Sequence, residues 1–289
     1  MTPALKVYQQ KESEEEKLLH LFIFVDTMLK KCPFNKSHPG PKAELTDSEL
    51  ITLALWRFHL GFSDWKHAYL CFLTHYDREF PNFPSYKNFL AGIQRVTIKA
   101  LWILGVLMAI ARKDNALLKI LDSSSLPVCK NTRTGSHKVM RQFASISKTS
   151  QGWFYGLKLH LVIDAASNLL SVRITTGQFD DRATVMSMLR GLIGKFVADA
   201  GYLSEVLKTN LFRMGKVFIT AVRNSMKQLM TKEQHEDLKR RQLVEVVLSQ
   251  IKDRMGMAST LPRSVTGMLS HYIYTLLAYQ MFRFVPVNS

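Results

Sequence analysis

The chain has 289 residues, 47% of them hydrophobic, with 39 Lys+Arg against 23 Asp+Glu, a formal net charge of +16 and a pI near 9.8. That is apolar material for one large domain or two modest ones and excludes a disordered chain; Cys32, Cys71 and Cys129, in no CxxC spacing, spell neither a disulfide framework nor a zinc ribbon. The excess of positive charge favours a polyanion, nucleic acid before a membrane surface, as the partner.

In chain order, Lys11-Glu12-Ser13-Glu14-Glu15-Glu16 is polar and acidic, unlike a signal peptide, and a soluble cytoplasmic protein is expected. Ser13 and Glu16 form a capping-box pattern that opens a helix to about Lys31, and Pro33 and Pro39-Gly40-Pro41 break it. Thr46 and Glu49 repeat the pattern and open a helix through Phe58; residues 59–63 turn into a third that carries Trp65, Tyr69 and Phe72. Helices near 85–97 and 98–112 follow. The apolar run from Ala100 to Ala111, between Lys99 and Arg112, is too short for a bilayer and predicts a buried core helix. Short helices on tight turns are compatible with a helix-turn-helix DNA reader, and small bundles of other purpose share the pattern. At Asp114-Asn115 the periodicity changes, which predicts an α-helical, DNA-binding region over 1–113 and a second domain over 114–289. The first carries 15 basic and 11 acidic side chains, the second 24 and 12.

The second half opens with a strand over 117–122. A strand over 153–163 has Leu157, Leu159, Leu161 and Ile163 on one face and Lys158 and His160 on the other; the turn Asp164-Ala165-Ala166-Ser167-Asn168 returns it through Thr175. A helix over 181–191, a strand over 195–199, a helix from Gly201-Tyr202 to Met214 and a strand over 216–222 come next. After Arg223-Asn224 a helix over 235–254 and another over 264–282 complete the chain. This is the element order of an α/β fold with a ribonuclease-H-like mixed five-stranded sheet flanked by helices, behind an all-α N-terminal domain. Its first and fourth strands are neighbours, which would bring Asp122 and Asp199 together.

Acids at the ends of apolar strands are costly unless a cation compensates them. For one aspartate the plainer reading is a cap on the turn into Ser123-Ser124-Ser125. The helix around Glu245 shifts the balance. Arg241, Glu245, Leu248 and Lys252 recur on one helical face, and Leu243, Val244, Val247 and Ile251 supply an apolar side. Such a face is either a solvated salt-bridge stripe or a metal-ligating Glu between two phosphate-contacting cations. Hard carboxylate donors suit Mg²⁺, with Mn²⁺ as substitute, and two ions roughly 3.5–4 Å apart serve in-line phosphoryl displacement. Asp180 and Asp181, before a helix, are reserve ligands or caps, with His160 as a further reserve. Asp164 is expected to be structural. Between Leu126 and Gly152, Lys130, Arg133, Lys138, Arg141 and Lys148 occur without an acid, a loop suited to the DNA backbone or simply solvated. Lys158 joins them as a candidate DNA contact; His137 and His271 receive no role.

The spacing Arg241, three residues, Glu245, six residues, Lys252 resembles the signature around the last acid of DDE transposases of bacterial insertion sequences. Leu121 to Cys129, Gly156-Leu157-Lys158-Leu159-His160, Thr176 to Arg182 and Ala198-Asp199-Ala200-Gly201-Tyr202 resemble blocks of one branch of that family, in order, over about 117–285. The resemblance implies Asp122, Asp199 and Glu245 as catalytic, metal-binding acids and Arg241 and Lys252 as DNA-contacting or site-orienting neighbours. It further implies double-stranded DNA, element ends and target, as substrate, and a homodimer or higher assembly on DNA in the nucleoid. Leu238 stands where the signature has tyrosine, and Gln178 and Ala200 where an Asn and a basic residue are expected. Alternatives are a non-mobile nuclease of the same superfamily and a non-catalytic DNA-binding regulator or relic.

Overall fold

The computed structural model describes residues 13–34, 43–114, 116–150, 152–221, 230–258 and 263–285. Lys11-Glu12, Pro39-Gly40-Pro41, Asn115 and Val222-Arg223-Asn224 lie outside them. Five helices come first: α1 (Glu14–Lys30), α2 (Asp47–His59), α3 (Trp65–His75), α4 (Tyr86–Arg95) and α5 (Thr97–Lys113). Both expected capping boxes form, Ser13 with Glu16 and Thr46 with Glu49, so the first turns of α1 and α2 have their otherwise orphaned amides satisfied. Asp64 and Ser85 cap α3 and α4.

The strands are β1 (Leu118–Pro127), β2 (Ser145–Thr149), β3 (Gly152–Asp164), β4 (Leu169–Thr176), β5 (Gly194–Ala198) and β6 (Lys216–Thr220). Helices α6 (Asp181–Met188), α7 (Glu205–Arg213), α8 (Lys232–Lys239), α9 (Gln242–Ser249) and α10 (Val265–Phe284) accompany them. The sheet is mixed: β3 lies antiparallel to β1, β1 is parallel to β5, and β5 is parallel to β6. β3 also carries β4 over most of its length and β2 at its start.

Three expectations change. Among the described residues the sheet has six strands, because β2 forms inside the stretch read as a loop. Strand β1 runs on to Pro127, so Asp122 stands in mid-strand and caps no turn. The single helix over 235–254 is instead α8 and α9, followed by a π-helical turn over Gln250–Arg254. A Thr231–Gln234 capping box starts α8 early, and i→i−3 bonds from Arg241, Leu243 and Val244 tighten the chain between the two helices.

Alternation assigns the two faces of the sheet. Ile120, Leu126, Leu157, Leu159, Leu161 and Ile163 face α9, α10 and the N-terminal helices in one core. Leu121, Val162, Phe196 and Ala198 face α6 and α7 in a second. The first core crosses the expected boundary at 113/114. Helix α10 packs on α5 and α2, and its buried Tyr274 donates to the Ile93 carbonyl at 3.0 Å. α5 is the expected core helix; no single helix among the described residues is long and apolar enough to cross a membrane, and only α4 and α5 taken together, bent by 45°, reach that composition.

His271, given no role above, is buried at this junction. Its Nδ1 lies 3.0 Å from Nη2 of the fully buried Arg57 and its Nε2 3.1 Å from the Gly256 carbonyl. Arginine only donates, so Nδ1 accepts and the ring is the neutral Nε2–H tautomer. Burial and the adjacent guanidinium pull its pKa down to about 3. Arg57 stacks on Trp65 at 3.8 Å, and burial lowers it to about 9.

Candidate active site

The parallel register sets Ile120 beside Val197. Two residues on, each strand or its end presents an acid on the same face: Asp122 from β1 and Asp199 just past β5. α9 lies over β1, held by Val244, Val247 and Leu248, and turns Glu245 toward them. The three carboxylates meet at one guanidinium. Arg241 Nη1 is 3.7 Å from Asp122 Oδ2 and 3.8 Å from Asp199 Oδ1, and Nη2 is 2.9 Å from Glu245 Oε1. Asp122 is mostly covered, with its side chain 16% exposed, whereas Asp199 and Glu245 are half exposed.

Burial pushes the Asp122 carboxyl up to about 6, against the Ser123 amide it accepts at 2.8 Å and the nearby Arg241; Asp199 and Glu245 add repulsion. A carboxylate so situated favours a neighbouring cation. All three donors are hard oxygens, the set suited to Mg²⁺ or Mn²⁺. The acids here surround the Arg241 guanidinium rather than a common point, and no group of three ligating side chains among the described residues stands at metal-holding distance. The donor chemistry fits a divalent ion, and the positive charge that faces the three acids is that of Arg241.

Lys252, on the π-helical turn, donates to Ser124 Oγ at 2.6 Å, and burial lowers its pKa. Ser124 shares the face of Asp122 and went unassigned from sequence; the Ser123-Ser124-Ser125 run was its signal. So did Tyr202, buried on the opposite face and hydrogen-bonded to Ser123, its phenol pushed up by burial. Leu238, where the signature has tyrosine, packs against Leu118, Val197 and Ile219.

The reserve residues lie elsewhere. Asp180 caps α6 and pairs with Arg182 at 2.9 Å. Asp181 takes Lys158 at 3.0 Å, and Lys158 also reaches the Phe179 carbonyl, so this lysine is turned to its own chain rather than outward. His160, read as lying on the strand's polar face, is buried under α6. It bonds Thr175 at 2.8 Å, and burial lowers it to about 4. Asp164 accepts the Asn168 amide at 2.8 Å, as a turn aspartate does. Lys130, Arg133, Lys138, Arg141 and Lys148 are all exposed. Their segment is not a bare loop: a 3-10 turn (Asn131–Arg133) and β2 order it, and Val128, Cys129 and Met140 anchor it in the core.

Residues 112–265 match the family model described as "Transposase DDE domain", a span that holds all three acids, Arg241 and Lys252. No curated protein matches the sequence. Among solved structures the chain is similar to a piggyBac transposase synaptic complex with hairpin DNA, with TM-score 0.46 and 11% identity over 92% of this chain and 72% of that one. It is also similar to a Mos1 transposase paired-end complex with left transposon end (TM-score 0.26, 10% identity, 87% and 100% covered). A Mos1 mariner paired-end complex with Mn aligns at TM-score 0.25 and 11% identity, over 96% and 94%. At these scores the structural likenesses carry no argument about chemistry.

Proposed function

This chain belongs to the transposase DDE-domain family, and from that premise we propose that it is an insertion-sequence transposase. It binds the terminal inverted repeats of its element, hydrolyses phosphodiester bonds there to free 3′-hydroxyls, and uses these to attack target DNA. The observation that carries this reading is the convergence of Asp122, Asp199 and Glu245 from β1, β5 and α9 on one cation.

Asp122, Asp199 and Glu245 are the residues that would hold Mg²⁺ or Mn²⁺, two ions in the full site. Bound there, the metal supplies an activated water or hydroxyl and charge stabilisation for an in-line displacement. In each step a new P–O bond forms as the bond to the leaving 3′-oxygen breaks, and no covalent protein–DNA intermediate is involved. Arg241 neutralises the acids between encounters and is free to turn to a phosphate once their charge is otherwise met. Lys252, tied to Ser124 beside Asp122, offers a second cation to the same backbone. The exposed cations from Lys130 to Lys148 engage the DNA to one side, through phosphates and without sequence readout. The helical region over 1–113 is the candidate reader of the repeats, and a paired-end assembly calls for a dimer or more. The substrate places the protein at the nucleoid.

The test is Mg²⁺- or Mn²⁺-dependent nicking and joining of DNA that carries the sequences flanking the gene. Asp122→Asn, Asp199→Asn and Glu245→Gln should each lower nicking by about a hundred- to a thousandfold, the scale of losing a group that stabilises transition-state charge, and leave DNA binding nearly intact. Joined products distinguish a transposase from a nuclease. Tight binding without nicking in either metal would refute the enzymatic reading.

A further inference from the structure

Beyond the acids, the outer end of the sheet carries an aromatic surface that the proposed chemistry does not use. The pairs Ile146↔Tyr155 and Lys148↔Trp153 put these four side chains on one face of the β2–β3 hairpin. Tyr155 turns into the core beside His137, their rings 6.0 Å apart. Trp153 and Ile146 do not: they are 62% and 55% exposed. The backbone under the indole is anchored, and a cation stands at its edge. Its residue's carbonyl accepts from Asn131 Nδ2 at 2.6 Å, and Lys148 Nζ lies 5.7 Å from the ring centroid. With Ile146 beside it, the indole forms a small apolar surface whose π-face is open for stacking.

The surrounding charge decides what that is. From Ser123 to Ile163 the sequence has no Asp or Glu, and Lys130, Arg133, Lys138, Arg141 and Lys148 are all exposed. The core of a protein interface is depleted of charge. A flat ring with an exposed lysine at its edge, on a segment that carries five exposed cations and no acid, is instead the combination that grips single-stranded nucleic acid, phosphates on the cations and a base on the ring. Bases inside a duplex have both faces covered by their neighbours, so only an unpaired base or a duplex end can reach the indole.

We propose that Trp153, with Ile146 beside it and Lys148 at its edge, is a stacking platform for an unpaired base of the DNA substrate. The platform rests on the DNA-handling function proposed above and adds a substrate class to it: DNA that is locally unpaired away from the cut. Trp153 lies on β3 on the same sheet face as Leu161, the partner of Asp122. At about 3.3 Å per residue it stands roughly 26 Å along the strand, or about eight base steps at 3.4 Å each. The unpaired base it takes is therefore distant from the scissile bond.

Two probes of one arbitrary sequence test this with the full chain in chelator, where no cleavage intervenes: a fully paired duplex and the same duplex with a gap of a few nucleotides. Fluorescence anisotropy should show the gapped duplex bound about tenfold tighter, the scale of one stacked base. Trp153→Ala should abolish that preference, the two duplex ends being common to both probes, and Trp153→Phe should retain most of it. Equal loss on both probes, or no loss on either, would overturn the platform, as would a fall in the protein's solution mass in Trp153→Ala, which would mark the surface as a contact between copies. If the wild-type protein bound neither probe, the DNA-handling function would fail and the platform with it.

Discussion

At the residue scale the site is an electrostatic problem with a local solution. Three carboxylates share one guanidinium, and burial makes Asp122 the one that most needs it. Arg241→Ala removes the only cation paired to these acids among the described residues. The midpoint of thermal unfolding in chelator should therefore drop by several degrees, and Mn²⁺ should raise it more in the variant than in the wild type. An unchanged midpoint in chelator would show that Arg241 is a solvated side chain with no part in balancing the acids. These residues were legible because chemistry restricts their type: an acid in an apolar strand and an Arg-Glu-Lys face stand out in a single sequence. His271 was not legible, because its partner Arg57 lies 214 residues away. Its consequence is a pH dependence. The folded pKa of about 3 lies below the ordinary value of 6.5, so the unfolded chain binds the proton first. The contribution is full above 6.5 and is lost as pH falls toward 3, by about 2 kcal/mol at pH 5. Denaturant unfolding at pH 7 and pH 5 should give a pH-dependent change that differs between the wild type and His271→Asn by this amount, since the buried His160 and Asp122 titrate alike in both proteins.

At the scale of elements, what the sequence announces locally was readable and what depends on neighbours was not. The capping boxes of α1 and α2 are satisfied within four residues, so pattern alone located them. β2 is short, and Ser145-Ile146-Ser147-Lys148-Thr149 has a single apolar residue, which itself faces out; it exists because the edge of β3 accepts it. The step between α8 and α9 stayed hidden because Arg240 and Arg241 keep helical backbone angles. Gly156 shows how tightly the strands bearing the acids are set. A Cβ there would lie 2.1 Å from the Leu126 carbonyl oxygen, which is backbone and cannot rotate away. Gly156→Ala should therefore cost about 3 kcal/mol, at the upper end for an overpacked site. It should also reduce nicking, since β1 is the strand that moves. A variant with wild-type stability in denaturant titration would mean that the sheet relaxes at this point without cost.

At the scale of the whole molecule, sequence reading divides the chain at 113/114, where helical periodicity ends and strand periodicity begins. Periodicity reports what each segment buries, not against what. α10 is the element that matters: it comes last in the chain, yet it packs on α2, α4 and α5, and its side chains share a core with β1 and β3. The N-terminal helices thus lack one wall of their core until the C-terminus is in place, and a shared core makes one cooperative unit. Leu277, fully buried in α10, is the lever. Leu277→Ala should cost about 2–5 kcal/mol, the range for a buried leucine, and hydrogen exchange should quicken by the same factor in the slowest amides of α2 and of β1. Acceleration in α2 alone would make the helical region a separate unit that merely leans on the sheet. Equal acceleration would mean that the N-terminal helices and the strands that carry Asp122 and Asp199 unfold together as one unit closed by α10.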